Sequence, residues 1–149
     1  MGKATKGAER ELCERYAERV ARTGRALGIA RIDVRELPDG QGPRRAEAEG
    51  AEILSRRVPG VLVALDERGA GTSSEAFAGR LQGWIDDGRE AVTFAIGGAD
   101  GHPSAVRDAA DIVLSLSPMT LPHLLARAVL LEQLYRAITI RLGHPYHRP

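Results

Sequence analysis

The last third of the chain constrains everything before it. From Leu121 to Ile138, apolar residues recur at helical spacing (Leu121, Leu124, Leu125, Ala128, Leu131, Tyr135, Ile138). Val129, Leu130 and Leu134 widen that stripe nearly all the way round, and only Arg127, Glu132, Gln133 and Arg136 interrupt it. Glu132 and Arg136 stand at the favourable i,i+4 spacing. A helix apolar on most faces must be buried, inside a fold or against a partner chain. At the C-terminus of a small protein it points to an oligomer. Thr120 is the candidate N-cap, and Pro122 falls in the first turn, where its missing N–H costs nothing. Ile112 to Leu116 reads as a short apolar strand before that helix, and a polar, aromatic tail, HPYHR, follows it.

The preceding segments supply what such a helix packs with. Lys6 to Gly28 carries Leu12, Tyr16, Val20 and Leu27 on one stripe, with Gly28 as the stop. Cys13 sits beside the stripe and reads as a small core or boundary residue rather than a reactive thiol, since no activator accompanies it. Ile29 to Leu37 alternates as a half-buried strand does. Pro38 to Pro43 is a loop, and Arg44 to Arg57 is a helix rich in Ala and Glu. Val61 to Leu65 (VLVAL) and Ala91 to Ile96 (AVTFAI) are continuous apolar runs, the mark of strands covered on both faces. Between them a helix capped by Ser73 or Ser74 runs to about Asp87, and a short one from about Pro103 to Ala110 precedes the strand at Ile112. Strands alternating with helices give an α/β fold, a parallel sheet with helices on both faces.

At 149 residues the chain, 1–149, reads as one domain, burying roughly two thirds of its unfolded surface. No apolar run approaches the ~20 residues of a bilayer span, and the first ten residues hold no signal-peptide core. One cysteine excludes an internal disulfide and a multi-cysteine zinc site. These features describe a cytoplasmic protein that needs no membrane and no metal. Net charge is +1, but residues 61–120 hold four Arg against nine acidic residues, and residues 121–149 hold four Arg against one Glu. That asymmetry fits a polyanion at the C-terminal end, or ordinary surface scatter.

In parallel sheets, ligands sit beyond the carboxyl ends of the strands. Three ends here are loop-like: Leu65-Asp66, Gly97-Gly98, and Leu116 to Thr120. GGADG is neither GxGxxG nor a Walker A loop, so neither the dinucleotide nor the phosphate-cradle reading gains support. Asp66, Asp100 and Asp111 read as turn chemistry. His144 and His147 lack the Cys, Asp or Glu pattern of a metal site, and no residue order suggests a hydrolase. The tail is either a disordered end or, being aromatic and joined directly to a buried helix, a docked one. Taken alone, these residues describe a small, dimeric α/β ligand-binding domain and no reaction.

LDERG at 65–69, SSEAFA at 73–78, DGRE at 87–90, IGG at 96–98, LSPMTLPH at 116–123, EQLYRA at 132–137 and HPYHR at 144–148 resemble the ribosomal RNA large-subunit methyltransferase H family of the SPOUT superfamily. The resemblance covers about Arg57 to the end and is loose before that. It implies a C-terminal trefoil knot, a homodimer, and S-adenosylmethionine as methyl donor. The implied substrate is a pseudouridine of large-subunit ribosomal RNA, methylated at N3 in the assembled ribosome. By position, the cofactor would meet Leu65, Gly97 and the Leu116, Ser117, Pro118, Met119, Thr120, Leu121 loop. Tyr146, His147 and Arg148 would serve catalysis, with Arg148 holding phosphate or the anionic base, and His147 or Tyr146 orienting the ring. Family members begin with a hydrophobic strand running into Gly-Lys. Here Met1 directly precedes Gly2-Lys3, so that first strand is missing from the chain, which a misassigned start accounts for better than a real loss. A SPOUT methyltransferase of transfer RNA and a non-catalytic ribosome-associated binding protein are the alternatives.

Overall fold

The VLVAL run becomes the centre of the sheet. In the computed structural model, which describes residues 7–148, β1 (Val61–Ala70) lies between β2 (Val92–Ile96) and β3 (Ile112–Leu114), parallel to both. A parallel strand with two neighbours can be apolar throughout, and Leu62, Val63 and Ala64 are fully buried. Val61–Leu65 pair in register with Val92–Ile96, and Val63–Leu65 with Ile112–Leu114. Asp111 fastens β3 at its start. Its carboxylate accepts the Leu62 N–H at 2.8 Å, and its own N–H donates to the Leu62 carbonyl at 2.9 Å. The α/β architecture read from the sequence is therefore present, with a three-stranded parallel sheet.

The structure corrects the reading at four places. First, β1 does not end at Asp66. The register slips, so that Leu114 faces both Leu65 and Ala70, and the Ser115 N–H reaches the Ala70 carbonyl at 3.0 Å. Gly69 permits this, because a Cβ there would stand 2.6 Å from the Leu114 carbonyl carbon. Second, β3 stops at Leu114, two residues early. Third, Ile29 to Leu37 has no regular structure and leaves Val34 exposed. Alternation specifies one buried side, but a strand also needs a ladder partner, and among the described residues no strand pairs with this segment. Fourth, the last helix starts at His123, so Thr120 does not cap it and Pro122 lies outside it. A residue preceding proline is pushed out of the helical region, so Leu121 cannot begin the turn. The Gly2-Lys3 comparison lies outside the described residues.

The chain divides into two compact units. One, residues 34–72 and 86–123, holds the sheet, α2 (Arg45–Arg56) and α4 (Ser104–Ala109). α2 packs on α4, and α4 on β1. Gly50 allows the first contact, since a Cβ there would fall 2.4 Å from the Pro103 ring.

The other unit, residues up to 33, 73–85 and from 124, holds α1 (Ala8–Gly24), nearly all of α3 (Ser74–Asp86) and α5 (His123–Leu142). Ser73 caps α3, its Oγ accepting the Ala76 N–H at 3.1 Å. Cys13 is buried, its Sγ donating to the Leu124 carbonyl, so it is a core residue. Ala128, Leu130, Leu131, Leu134, Ala137 and Ile138 of α5 are all buried, as an apolar circumference requires. α5 ends in a Schellman motif: Gly143 has φ 68°, its N–H reaches the Ile140 carbonyl at 3.3 Å, and the His144 N–H reaches that of Thr139 at 2.9 Å. That turn aims the tail. Among the described residues no helix is long and apolar enough to cross a membrane.

Candidate functional site

Because β1, β2 and β3 are parallel, their carboxyl ends share one edge of the sheet. Leu65, almost fully buried, forms the last paired step with Ile96, and Gly97 follows directly. The 116–121 loop begins two residues beyond β3. All eight residues assigned to the cofactor belong to the sheet unit, with Leu65 inside β1 rather than at its end. Within the loop Ser115 Oγ donates to the Ser117 carbonyl, and Ser117 Oγ accepts the Met119 N–H, both at 2.9 Å. Pro118 has no N–H, so amides offered to a ligand must come from Leu116, Ser117, Thr120 or Leu121. Met119 is 76% exposed. A cavity of about 490 Å³ lined by Pro59, Gly60 and 87–90 opens at the opposite, amino ends of β1 and β2 and is separate from these loops.

The Gly97–Gly101 turn is closed by the Gly101 N–H donating to the Gly98 carbonyl at 3.0 Å. A Cβ on Gly97 would come within 3.0 Å of the Gly101 carbonyl carbon, so a side chain there would press on the turn's own backbone. Charges ring the turn. Arg45 Nη2 donates to Asp100 at 2.6 Å, Glu49 fills the space beside Gly98, and Arg107 lies 3.8 Å from the Asp66 carboxylate. Asp66 Oδ1 accepts the Arg68 N–H at 2.9 Å, and Asp66, read from the sequence as turn chemistry, lies within β1. His102 is buried with Nε2 3.1 Å from the Ala95 carbonyl. A carbonyl only accepts, so the ring proton is on Nε2 and Nδ1 is an acceptor. Among the described residues neither His102 Nδ1 nor Asp66 Oδ2 accepts a hydrogen bond, although both are buried and Oδ2 faces Arg107 at 3.8 Å.

Burial pushes the His102 pKa below its ordinary 6.5, against the opposing Ala95 carbonyl and Asp66 charge. Below pH 6.5 the unfolded imidazole takes up a proton that the folded one resists, so acidification favours unfolding. The melting temperature should fall as pH drops below 6.5 in the native protein and fall less in His102→Gln. Equal acid sensitivity in both proteins would remove His102 as the cause.

The tail lies on its own chain. Tyr146 meets the Tyr135 ring edge-on at 4.7 Å between centroids, and the Arg136 guanidinium lies 4.9 Å from the Tyr146 ring. The Tyr146 hydroxyl donates to Glu132 Oε1 at 3.0 Å and is 3.1 Å from the Tyr16 hydroxyl, which therefore donates to it. Glu132 Oε1 also accepts Arg136 Nε at 3.0 Å and Nη2 at 2.6 Å, confirming the pairing read from the i,i+4 spacing. Arg136 Nη1 is 3.3 Å from His147 Nδ1, and His147 Nε2 is 2.9 Å from Glu75 Oε1. Arginine only donates, so Nδ1 accepts and Nε2–H is given to Glu75. Burial, with the Tyr16 and Glu132 hydrogen bonds, drives the Tyr146 pKa far above the ordinary 10. In this arrangement neither Tyr146 nor His147 offers a free basic lone pair. Arg148 is exposed.

Sequence reading placed Tyr16 on a core stripe and did not single out Glu75; nothing in linear order links them to residues 130 and 72 positions away. Among the described residues no group of three or more His, Cys, Asp or Glu is placed to hold a metal.

A family model described as a predicted SPOUT methyltransferase matches residues 1–147. The ribosomal RNA large subunit methyltransferase H of Methylobacterium radiotolerans is 47% identical over 153 residues, covering 99% of this chain and 93% of the relative. The proteins of that name from Cereibacter sphaeroides strain KD131 (49%) and Mesorhizobium japonicum (45%) each align over 99% of this chain and 95% of their own length.

Proposed function

The chain belongs to the SPOUT methyltransferase family, and on that footing we propose that it transfers a methyl group from S-adenosylmethionine to N3 of a pseudouridine in large-subunit ribosomal RNA, within the assembled ribosome. The observation that supports this reading is the parallel pairing that sets Leu65 of β1 opposite Ile96 and Leu114, with Gly97 one residue beyond β2 and the 116–121 loop two residues beyond β3. Apolar side chains and backbone amides at such an edge suit an adenosyl group without any charged residue. Leu65, Leu116 and Leu121 would supply apolar contact, and Gly97 the bare backbone. When bound, the cofactor would supply an electrophilic methyl on sulfur and leave as S-adenosylhomocysteine, with the N3 proton lost to water. On the substrate side Arg148 would hold phosphate or the imide anion, and Tyr146 and His147 would orient the ring. Much of the rate then comes from alignment. The proposed enzyme is a single domain over 1–149, with a C-terminal knot, acting as a cytoplasmic homodimer without metal.

Calorimetry should show S-adenosylmethionine binding in the presence of a chelator. Ribosomes from a strain lacking the modification should gain one methyl, mapped to a pseudouridine. Gly97→Val should weaken binding at least tenfold, about 1.4 kcal/mol, in a folded protein; unchanged affinity removes that loop from the site. Methylation of free transfer RNA but not ribosomes would reassign the substrate. Ribosome binding without any methyl transfer would make the chain a binding protein. Light scattering should report twice the chain mass, and a monodisperse monomer at micromolar concentration would overturn the dimer.

A further inference from the structure

Four donors from three residues converge on one carboxylate of α5. Glu132 Oε1 takes Arg136 Nε and Nη2 and the Tyr146 hydroxyl, while Oε2 takes Gln133 Nε2 at 2.7 Å. The chain of contacts continues on both sides. Gln133 Oε1 accepts Ser74 Oγ of α3 at 2.7 Å, and Arg136 passes the link to His147, which reaches Glu75 of the same helix. The side chains of Tyr146 and His147, which precede the exposed Arg148, are thus tied, directly or through one guanidinium, to a single group. We propose that Glu132 is the positioning residue of the tail: it holds Tyr146 directly and His147 through Arg136, and so fixes where Arg148 leaves the chain. The proposal rests on the reading above that the tail serves methyl transfer.

The chemistry favours this role over a merely structural one. Hydrogen bonds to a charged group are about twice as strong as neutral ones, and Glu132 spends three on the Arg136–Tyr146 side. α5 itself does not depend on the carboxylate, because its buried positions are the apolar residues around Glu132 and Gln is as good a helix former as Glu. Glu132→Gln therefore leaves the helix and frees Arg136, which no longer has an anion to hold it toward His147. The tail would still be attached at Gly143 but its side chains would lose register.

The test compares Glu132→Gln, Tyr146→Phe and the double variant with the full native chain. It uses methyl transfer to unmodified ribosomes, calorimetry with S-adenosylmethionine, and amide hydrogen exchange of 144–148. Glu132→Gln should lower kcat on the order of 100-fold, the cost of a small misplacement, with cofactor affinity unchanged and tail amides exchanging faster. The double variant should be no worse than Glu132→Gln alone, since both cut the same link. Tail exchange that is unaltered in both single variants overturns the proposal. So does unaltered kcat in Glu132→Gln, or a double variant whose losses multiply. If Glu132→Gln does not fold, Tyr146→Phe alone carries the exchange readout. A native chain that leaves ribosomes unmodified would sink the function proposed above, and exchange alone would then decide whether Glu132 anchors the tail.

Discussion

Removal of residues 144–149 is expected to abolish methyl transfer while S-adenosylmethionine affinity stays unchanged. The tail is fastened by side chains, Tyr146 to Glu132 and His147 to Arg136 and Glu75. It contributes one backbone bond to α5, the His144 N–H to Thr139, and losing that bond costs about 1 kcal/mol. The helix should survive. The loops at 65, 97 and 116–121 contain no tail residue and belong to the sheet unit. Activity should fall by on the order of 10²-fold or more if the tail aligns the substrate and steadies its charge. Modified-nucleotide mapping and calorimetry on the same preparation separate the two effects. A mixed dimer of this truncation with a Gly97→Val chain should recover some activity if the site is shared between chains. Full activity in the truncated homodimer would remove Tyr146, His147 and Arg148 from the chemistry.

The second large effect is on stability. Ile138 is wholly buried on α5, so Ile138→Asp places a charge where no partner awaits it. The penalty is several kcal/mol, against about 5–15 kcal/mol for a whole domain, and loss of the fold is expected in circular dichroism and urea titration. Leu125, 38% exposed on the same helix, should tolerate Asp with little change. Leu131 and Leu134 are buried within the chain itself, so Leu131→Glu would break the fold and cannot serve as a clean probe of the dimer. A folded Ile138→Asp protein would show that α5 is not a core element.

The contrast between α5 and the segment before α2 shows what linear order carries. Local signals placed α2, α3 and α4 within one residue of their ends, whereas α1 ends at Gly24, four residues before the expected stop at Gly28, with a 3-10 turn at Arg25–Leu27 between them. Ile29 to Leu37 has the right alternation, yet strand formation depends on a neighbour that no local pattern encodes. The return of β1 at Ala70 likewise depends on Gly69 meeting Leu114, 45 residues on. The loops after β2 and β3 were legible because apolar runs end where the strands do, whereas the third expected end, Leu65-Asp66, lies inside β1. The fastening of the tail was not legible. Glu132 showed its i,i+4 partner, but its hold on Tyr146 is fixed only once the Schellman turn at Gly143 folds the tail back.

The interleaving of the two units bears on how the protein comes into being. Each unit is assembled from separated stretches, and the chain passes between them at 33/34, 72/73, 85/86 and 123/124. During translation the central strand β1 emerges before either neighbour, with its apolar run unpaired until β2 and then β3 are made. α1 waits longer still, since Tyr16 meets Tyr146 across 130 positions. No early fragment owns a complete core. Pairings this distant in sequence make folding slow, and half-made chains with bare strand edges invite aggregation. Expression of this protein should therefore respond to chaperone supply and to slower synthesis at low temperature.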